Sequence, residues 1–118
     1  MTPKQIAQEW LAAFNRGDAD SMVALYADDA VHTSPRIRAQ GASGDGQIVG
    51  KAAMHHWWSS AFEKQDGLRY EVITLVADER CAVIEYRRHA QGEPTSRVAE
   101  LFEILEGKII RSNVYLGN

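Results

Sequence analysis

The sequence predicts an α+β fold in which three N-terminal helices pack on a curved, mostly antiparallel sheet. Two observations carry that expectation. Apolar residues recur at helical spacing only before Gly67, and from Leu68 onward the chain reads as four runs of alternating side chains parted by turn residues. Helices first and strands later argue against alternating βαβ units and for a sheet that curls over its helices. With 118 residues, 45% of them apolar, the chain can bury one core and not two, so residues 1–118 are expected to form a single domain.

The elements follow in order. Thr2 and Gln5 bracket Pro3 as a capping box, and Ile6, Trp10, Ala13 and Phe14 then share one face of a helix that ends at Gly17. Asp18 or Asp20 can cap a short second helix with Met22, Val23, Leu25 and Tyr26 as its apolar positions. A strand from Ala30 to Thr33 comes next. Residues 34–50 hold Pro35 and four glycines, too many breakers for regular structure, and a loop of this length in a small domain is often functional, here as a lid. A third helix carries Ala53, Met54, Trp57, Trp58, Ala61 and Phe62 and stops before Gly67. Strands are expected over Leu68–Ala77, Arg80–Ala90, Ser96–Leu105 and Lys108–Leu116, the last two joined by a tight turn at Glu106-Gly107.

Composition excludes several function classes. The formal charge is −3, from 13 basic and 16 acidic residues spread along the chain, so no basic face is expected to attract nucleic acid. No apolar run approaches the ~18 residues that span a bilayer, and Met-Thr-Pro-Lys-Gln is no secretory leader, so a cytoplasmic location without membrane contact is expected. Cys81 is the one cysteine and sits in a strand-like run, where a thiol packs and does not react. His55 and His56 point about 100° apart on a helix with no third ligand, so no metal is expected. "GASGDGQIVGK" misses the phosphate-loop spacing because Asp45 stands where its first glycine belongs and Ala52 where Ser or Thr should follow.

Alternation along the strand from Arg80 puts Ala82, Ile84, Tyr86 and Arg88 on one face, and Cys81, Val83, Glu85, Arg87 and His89 on the other. Both faces are mixed, so one is expected to cover a polar-lined cavity and the other to meet a second copy, giving a homodimer through the sheet. If the following turn is centred near Gly92-Glu93, Tyr86 falls opposite Glu100 with Arg88 one step along. Glu100 is then either a carboxyl made weakly acidic by apolar surroundings, with Tyr86 donating to a ligand carbonyl, or the ion-pair partner of Arg88.

The order of helix, "FNRGDADSMVALYADDAVHTSP", "GKAAMHHWWSSAF", four strands and "LEGKIIRSNVYLG" resembles the nuclear transport factor 2-like superfamily, in particular its ketosteroid isomerase-like and SnoaL-like branch. The resemblance covers nearly the whole chain and rests on Gly17-Asp18, "LYADDA" at 25–30, Gly50 before the third helix and Gly107-Lys108 in the last hairpin. It implies a cone-shaped, cystatin-like fold whose helices close the wide end of the curved sheet, with a small apolar ligand or substrate between them. The resembled isomerases keep a general-base aspartate just before the proline that follows the "ADDA" turn; Ser34, preceded by Thr33, stands there instead. Their oxyanion-binding tyrosine and acid fall on Trp10 and Glu100.

His32 and Ser34 share a strand face and are both expected to meet the cavity. Side chains two apart on a strand are ~6.5 to 7 Å apart at the backbone and no sharp elbow exposes Ser34, so His32 is read as a lone acid or base or a polar wall residue, not as the partner of a nucleophile. Glu100, His32 and Tyr86 are thus the candidate catalytic residues. Trp10, Phe14, Tyr26, Trp57 and Trp58 from the helices are candidate ligand contacts, with Ser34 after the first strand and Ile84, Arg88, Phe102 and Val114 from the sheet. Two functions fit. One is a small-molecule-binding domain for an apolar, carbonyl-containing ligand without catalysis, which the missing base favours. The other is a cofactor-independent isomerase or polyketide-cyclase-type enzyme moving a proton with Glu100 or His32 and polarising the oxygen with Tyr86 or Trp10, and neither needs a cofactor. Epoxide hydrolysis would need two inward aspartates bridged by an arginine, and no such pair is visible.

Overall fold

A computed structural model describes residues 1–117. The capping box forms as expected: Gln5 N–H donates to Thr2 Oγ1 at 3.2 Å and Thr2 N–H to the Gln5 side chain at 2.9 Å. It opens α1 (Pro3–Asn15), which buries Ile6, Ala7, Trp10, Ala13 and Phe14. Of the two candidate caps for α2 (Ala19–Val23), Asp18 is the one used, accepting from Ser21 N–H at 3.0 Å.

Tyr26 is not helical as the sequence reading had it. It begins β1 (Tyr26–Thr33), four residues earlier than expected. Apolar Leu25 and Tyr26 continue the helical spacing, but their burial is achieved by turning the chain, which brings Tyr26 alongside Ile109 of the last strand.

The segment 34–50 corrects a second expectation, since it holds regular structure. Ser34 caps and Pro35 starts a one-turn helix, α3 (Pro35–Ala39), and β2 (Gln47–Val49) pairs antiparallel with β1 through Val31 and Val49. The breakers cluster after residue 40 and so spare both pieces. At Gly46 the backbone takes φ +75° while its carbonyl accepts from Ser34 N–H at 2.9 Å, and a Cβ there would stand 3.3 Å from the Ser34 carbonyl. Helix α4 (Lys51–Lys64) follows, then β3 (Arg69–Ala77), β4 (Cys81–His89), β5 (Ser96–Leu105) and β6 (Lys108–Leu116).

The six strands form one sheet in the order β2-β1-β6-β5-β4-β3, antiparallel except where β1 runs parallel to β6. Register breaks near Tyr26/Val31, Val72/Thr74 and Glu103/Ile104 are bulge-like irregularities of the kind that bend strands, and the sheet curves over the helices. The β4–β5 register differs from the expected one. Ile84, not Tyr86, stands opposite Glu100, and Tyr86 pairs with Val98. Because the offset along β5 is two residues, the faces are unchanged.

Ala82, Ile84, Tyr86 and Arg88 point inward with Glu100 and Phe102, and all are buried. On the outer face, Val76 and Tyr115, paired with Val83 and Ala99, are exposed, and Val72 and Leu116 are exposed as well. Among the described residues no helix is long and apolar enough to cross a membrane.

Candidate functional site

Between the inner face of the sheet, α1, α3 and α4 lies a cavity of about 240 Å³. At the ~30 Å³ that each molecule of liquid water occupies, that is room for about eight waters, or a compound of one or two rings. Its wall is aromatic. Trp10, Phe14, Trp57, Trp58, Tyr70 and Tyr86 all line it, and every tryptophan of the chain is among them. Tyr70 stacks between Phe14 at 3.7 Å and Tyr86 at 4.0 Å, centroid to centroid, and Trp58 meets Trp10 edge-on at 6.3 Å.

Ser34, Arg88, Val114, Glu100 and His32 also line the cavity. Tyr26, Ile84 and Phe102 do not: they belong to the buried layer behind the wall. Phe102 packs edge-to-face against Trp10 with ring centroids 5.1 Å apart. Sequence reasoning overlooked Tyr70, although the β3–β4 hairpin pairs it with Arg88 and so gives it the same face. It also overlooked Arg36 and Gln40, which reach the wall from α3 and its C-cap.

Glu100 is the chemical centre of this wall. Tyr86 Oη donates to Glu100 Oε1 at 3.0 Å, whereas Oε2 is buried without a partner among the described residues. Burial pushes the Glu100 carboxyl up to about 8, and the hydrogen bond from Tyr86 only partly opposes this. At neutral pH the group is mainly the neutral acid, and with Oε1 accepting from Tyr86, Oε2 is the oxygen left open to carry the proton. The ion pair considered for Arg88 is not made with Glu100. Arg88 Nη1 instead donates to Glu93 Oε1 at 2.9 Å, at the turn between β4 and β5. Tyr86 is likewise corrected, because its hydroxyl proton holds the acid and is not available to a ligand.

His32 sits at the end of a buried relay. Trp10 Nε1 donates to Tyr26 Oη at 3.1 Å, Tyr26 Oη lies 2.9 Å from Ser112 Oγ, and Ser112 Oγ lies 2.6 Å from His32 Nδ1. Donor counting fixes the direction. Among the described residues the Tyr26 hydroxyl has only Ser112 to donate to, and when it does so Ser112 gives its own proton to His32 Nδ1. The ring therefore carries its proton on Nε2, and desolvation lowers its pKa to about 4, keeping it neutral. Trp10 thus presents its ring to the cavity and spends its N–H on Tyr26, so it does not polarise a ligand oxygen. Ser34 Oγ accepts from Arg36 N–H at 3.2 Å as the cap of α3, and His32 Nδ1, engaged by Ser112, gives it no base. Among the described residues no three His, Cys, Asp or Glu side chains are grouped to hold a metal.

A sequence model of the SnoaL-like domain matches residues 7–112. No protein of curated function matches the chain. Among solved structures, a SnoaL-like protein of unknown function from Burkholderia thailandensis superposes with a TM-score of 0.86 at 25% identity, covering 98% of this chain and 94% of that one. An uncharacterized cystatin-fold protein from Novosphingobium aromaticivorans gives 0.81 at 19% identity, with 98% of both chains covered. A hypothetical protein of ketosteroid isomerase-like fold from Catenulispora acidiphila, in complex with trimethylamine, gives 0.75 at 18% identity over 98% of this chain and 86% of that one.

Proposed function

The chain belongs to the SnoaL-like domain family, and on that footing we propose that it binds a small, flat, apolar compound by its carbonyl oxygen. Glu100 is the donor. One observation carries the reading: a buried carboxyl at a cavity wall, held neutral, with one oxygen fixed by Tyr86 and the other unpartnered. A buried donor left unsatisfied costs about 1 to 3 kcal/mol, and a ligand carbonyl placed at Oε2 removes that cost. The stacked rings of Phe14, Tyr70 and Tyr86 and the edges of the tryptophans favour a planar body. His32 Nε2–H is a second fixed donor on the same wall.

Binding without turnover accounts best for these groups, because enolisation needs a base as well as an acid. Ser34 occupies the base position and His32 presents a proton where a lone pair would be required. A second reading, an isomerase or cyclase, draws support from the Glu100 value of about 8, which lets the carboxyl give and take a proton near neutrality. We include in the proposal a homodimer through the outer face of the sheet and a cytoplasmic location.

Indanone and indane, identical rings with and without a carbonyl, test the reading by quenching of tryptophan fluorescence. Indanone is expected to bind roughly tenfold more tightly below pH 8 and to lose the advantage above it as Glu100 ionises. Equal affinities would remove Glu100 as the donor. Exchange of the hydrogens next to the indanone carbonyl into heavy water, abolished in Glu100→Gln with folding intact, would favour the enzyme instead.

A further inference from the structure

The cavity wall carries three permanent cations, Arg36, Lys64 and Arg88, against a single acid, Glu100. The chain as a whole is net acidic, at −3, so this basic lining runs counter to its composition. The counter-ions are few. Among the described residues, Arg36 and Lys64 make no ion pair, and Arg88 has Glu93 alone. The Arg88 side chain is 6% exposed, yet among the described residues only Nη1 of its guanidinium has an acceptor, leaving most of a five-donor fork over. A mostly buried arginine whose remaining N–H groups stay accessible is the residue type that takes a carboxylate through two parallel hydrogen bonds.

We propose that the ligand is an apolar keto acid: its carboxylate lies against Arg88 and Arg36 at the cavity rim, with Lys64 nearby, while its carbonyl oxygen meets Glu100. The inference rests on Glu100 as carbonyl donor and adds the anionic end of the ligand. It also gives the two ends of the cavity distinct tasks. The neutral acid selects an uncharged oxygen and would repel a carboxylate if ionised, whereas the rim selects the anion and draws it in through a local positive field.

Benzoylpropanoate and its methyl ester separate the two readings, again by tryptophan quenching. The acid is expected to bind roughly tenfold or more tightly than the ester, with the difference shrinking as salt is raised because only the anion is screened. Arg36→Gln with Lys64→Gln, and separately Arg88→Gln, should each bring the acid toward the ester without weakening the ester. An ester bound as tightly as the acid overturns the keto-acid proposal and leaves the carbonyl site standing. So does an advantage of the acid undiminished in these variants; if Arg88→Gln does not fold, the double variant decides. Failure of both compounds to bind overturns the carbonyl site and this proposal together.

Discussion

Replacing Glu100 with glutamine should change how folding stability depends on pH, and the size of the change follows from two buried groups. Glu100 has its carboxyl raised from 4.5 to about 8, so between those values the folded chain keeps a proton that the unfolded chain has lost. Its contribution is fully present below pH 4.5 and drains away as pH rises toward 8. His32 works in the opposite sense. With its value lowered from 6.5 to about 4, the unfolded chain binds the extra proton over that interval, and stability rises with pH until 6.5. The two slopes oppose each other between pH 4.5 and 6.5. Only Glu100 of this pair remains active from 6.5 to 8, a span of one and a half units at about 1.36 kcal/mol per unit, or about 2 kcal/mol of stability lost. Glutamine keeps an oxygen to accept from Tyr86 but does not titrate. Urea unfolding at fixed pH values across this range should therefore show a decline in the wild type that exceeds that of Glu100→Gln by about 2 kcal/mol. Parallel curves for the two proteins would refute the assignment of a neutral, buried acid.

Three further outcomes are expected. Ser112→Ala strands the Tyr26 hydroxyl and His32 Nδ1 in the interior and should cost about 1 to 3 kcal/mol by urea unfolding; it should also redistribute the His32 ring proton, seen by nitrogen NMR, and an unchanged tautomer would break the relay. Tyr70→Ala removes the ring wedged between Phe14 and Tyr86 and should cost about 3 to 5 kcal/mol, whereas Tyr70→Phe, which keeps the stack, should cost far less; similar losses would deny the stack its role. Val76→Lys places a charge on the exposed outer face of β3 and should convert a dimer to a monomer in sedimentation, and a wild type that already sediments as one chain removes the dimer from the proposal.

Much of this arrangement was legible because it depends on period and parity. The capping box at Thr2, the helical stripe of α1 and the inward set from Ala82 to Arg88 follow from local chemistry and from alternation, and parity survived a register error of two residues. Whatever depended on absolute register or on side chains meeting across the core was not legible. Glu93 rather than Glu100 as partner of Arg88 is decided by how the β4–β5 turn folds back, which a count of turn residues does not settle. The relay from Trp10 to His32 joins residues up to 102 positions apart, so no local pattern announces it. Helix α3 and strand β2 were hidden by averaging breakers over 34–50, when the clustering of glycines after residue 40 was the informative feature.

The carbonyl stretch of bound, isotope-labelled indanone addresses the central claim most directly, since a hydrogen bond to that oxygen lowers its frequency. Difference infrared spectra at pH 6.5 should show the band displaced downward from its position in an apolar solvent, with the displacement fading as pH passes 8. A band left at the apolar-solvent position, or one displaced equally on both sides of pH 8, would contradict a neutral Glu100 donating to the ligand.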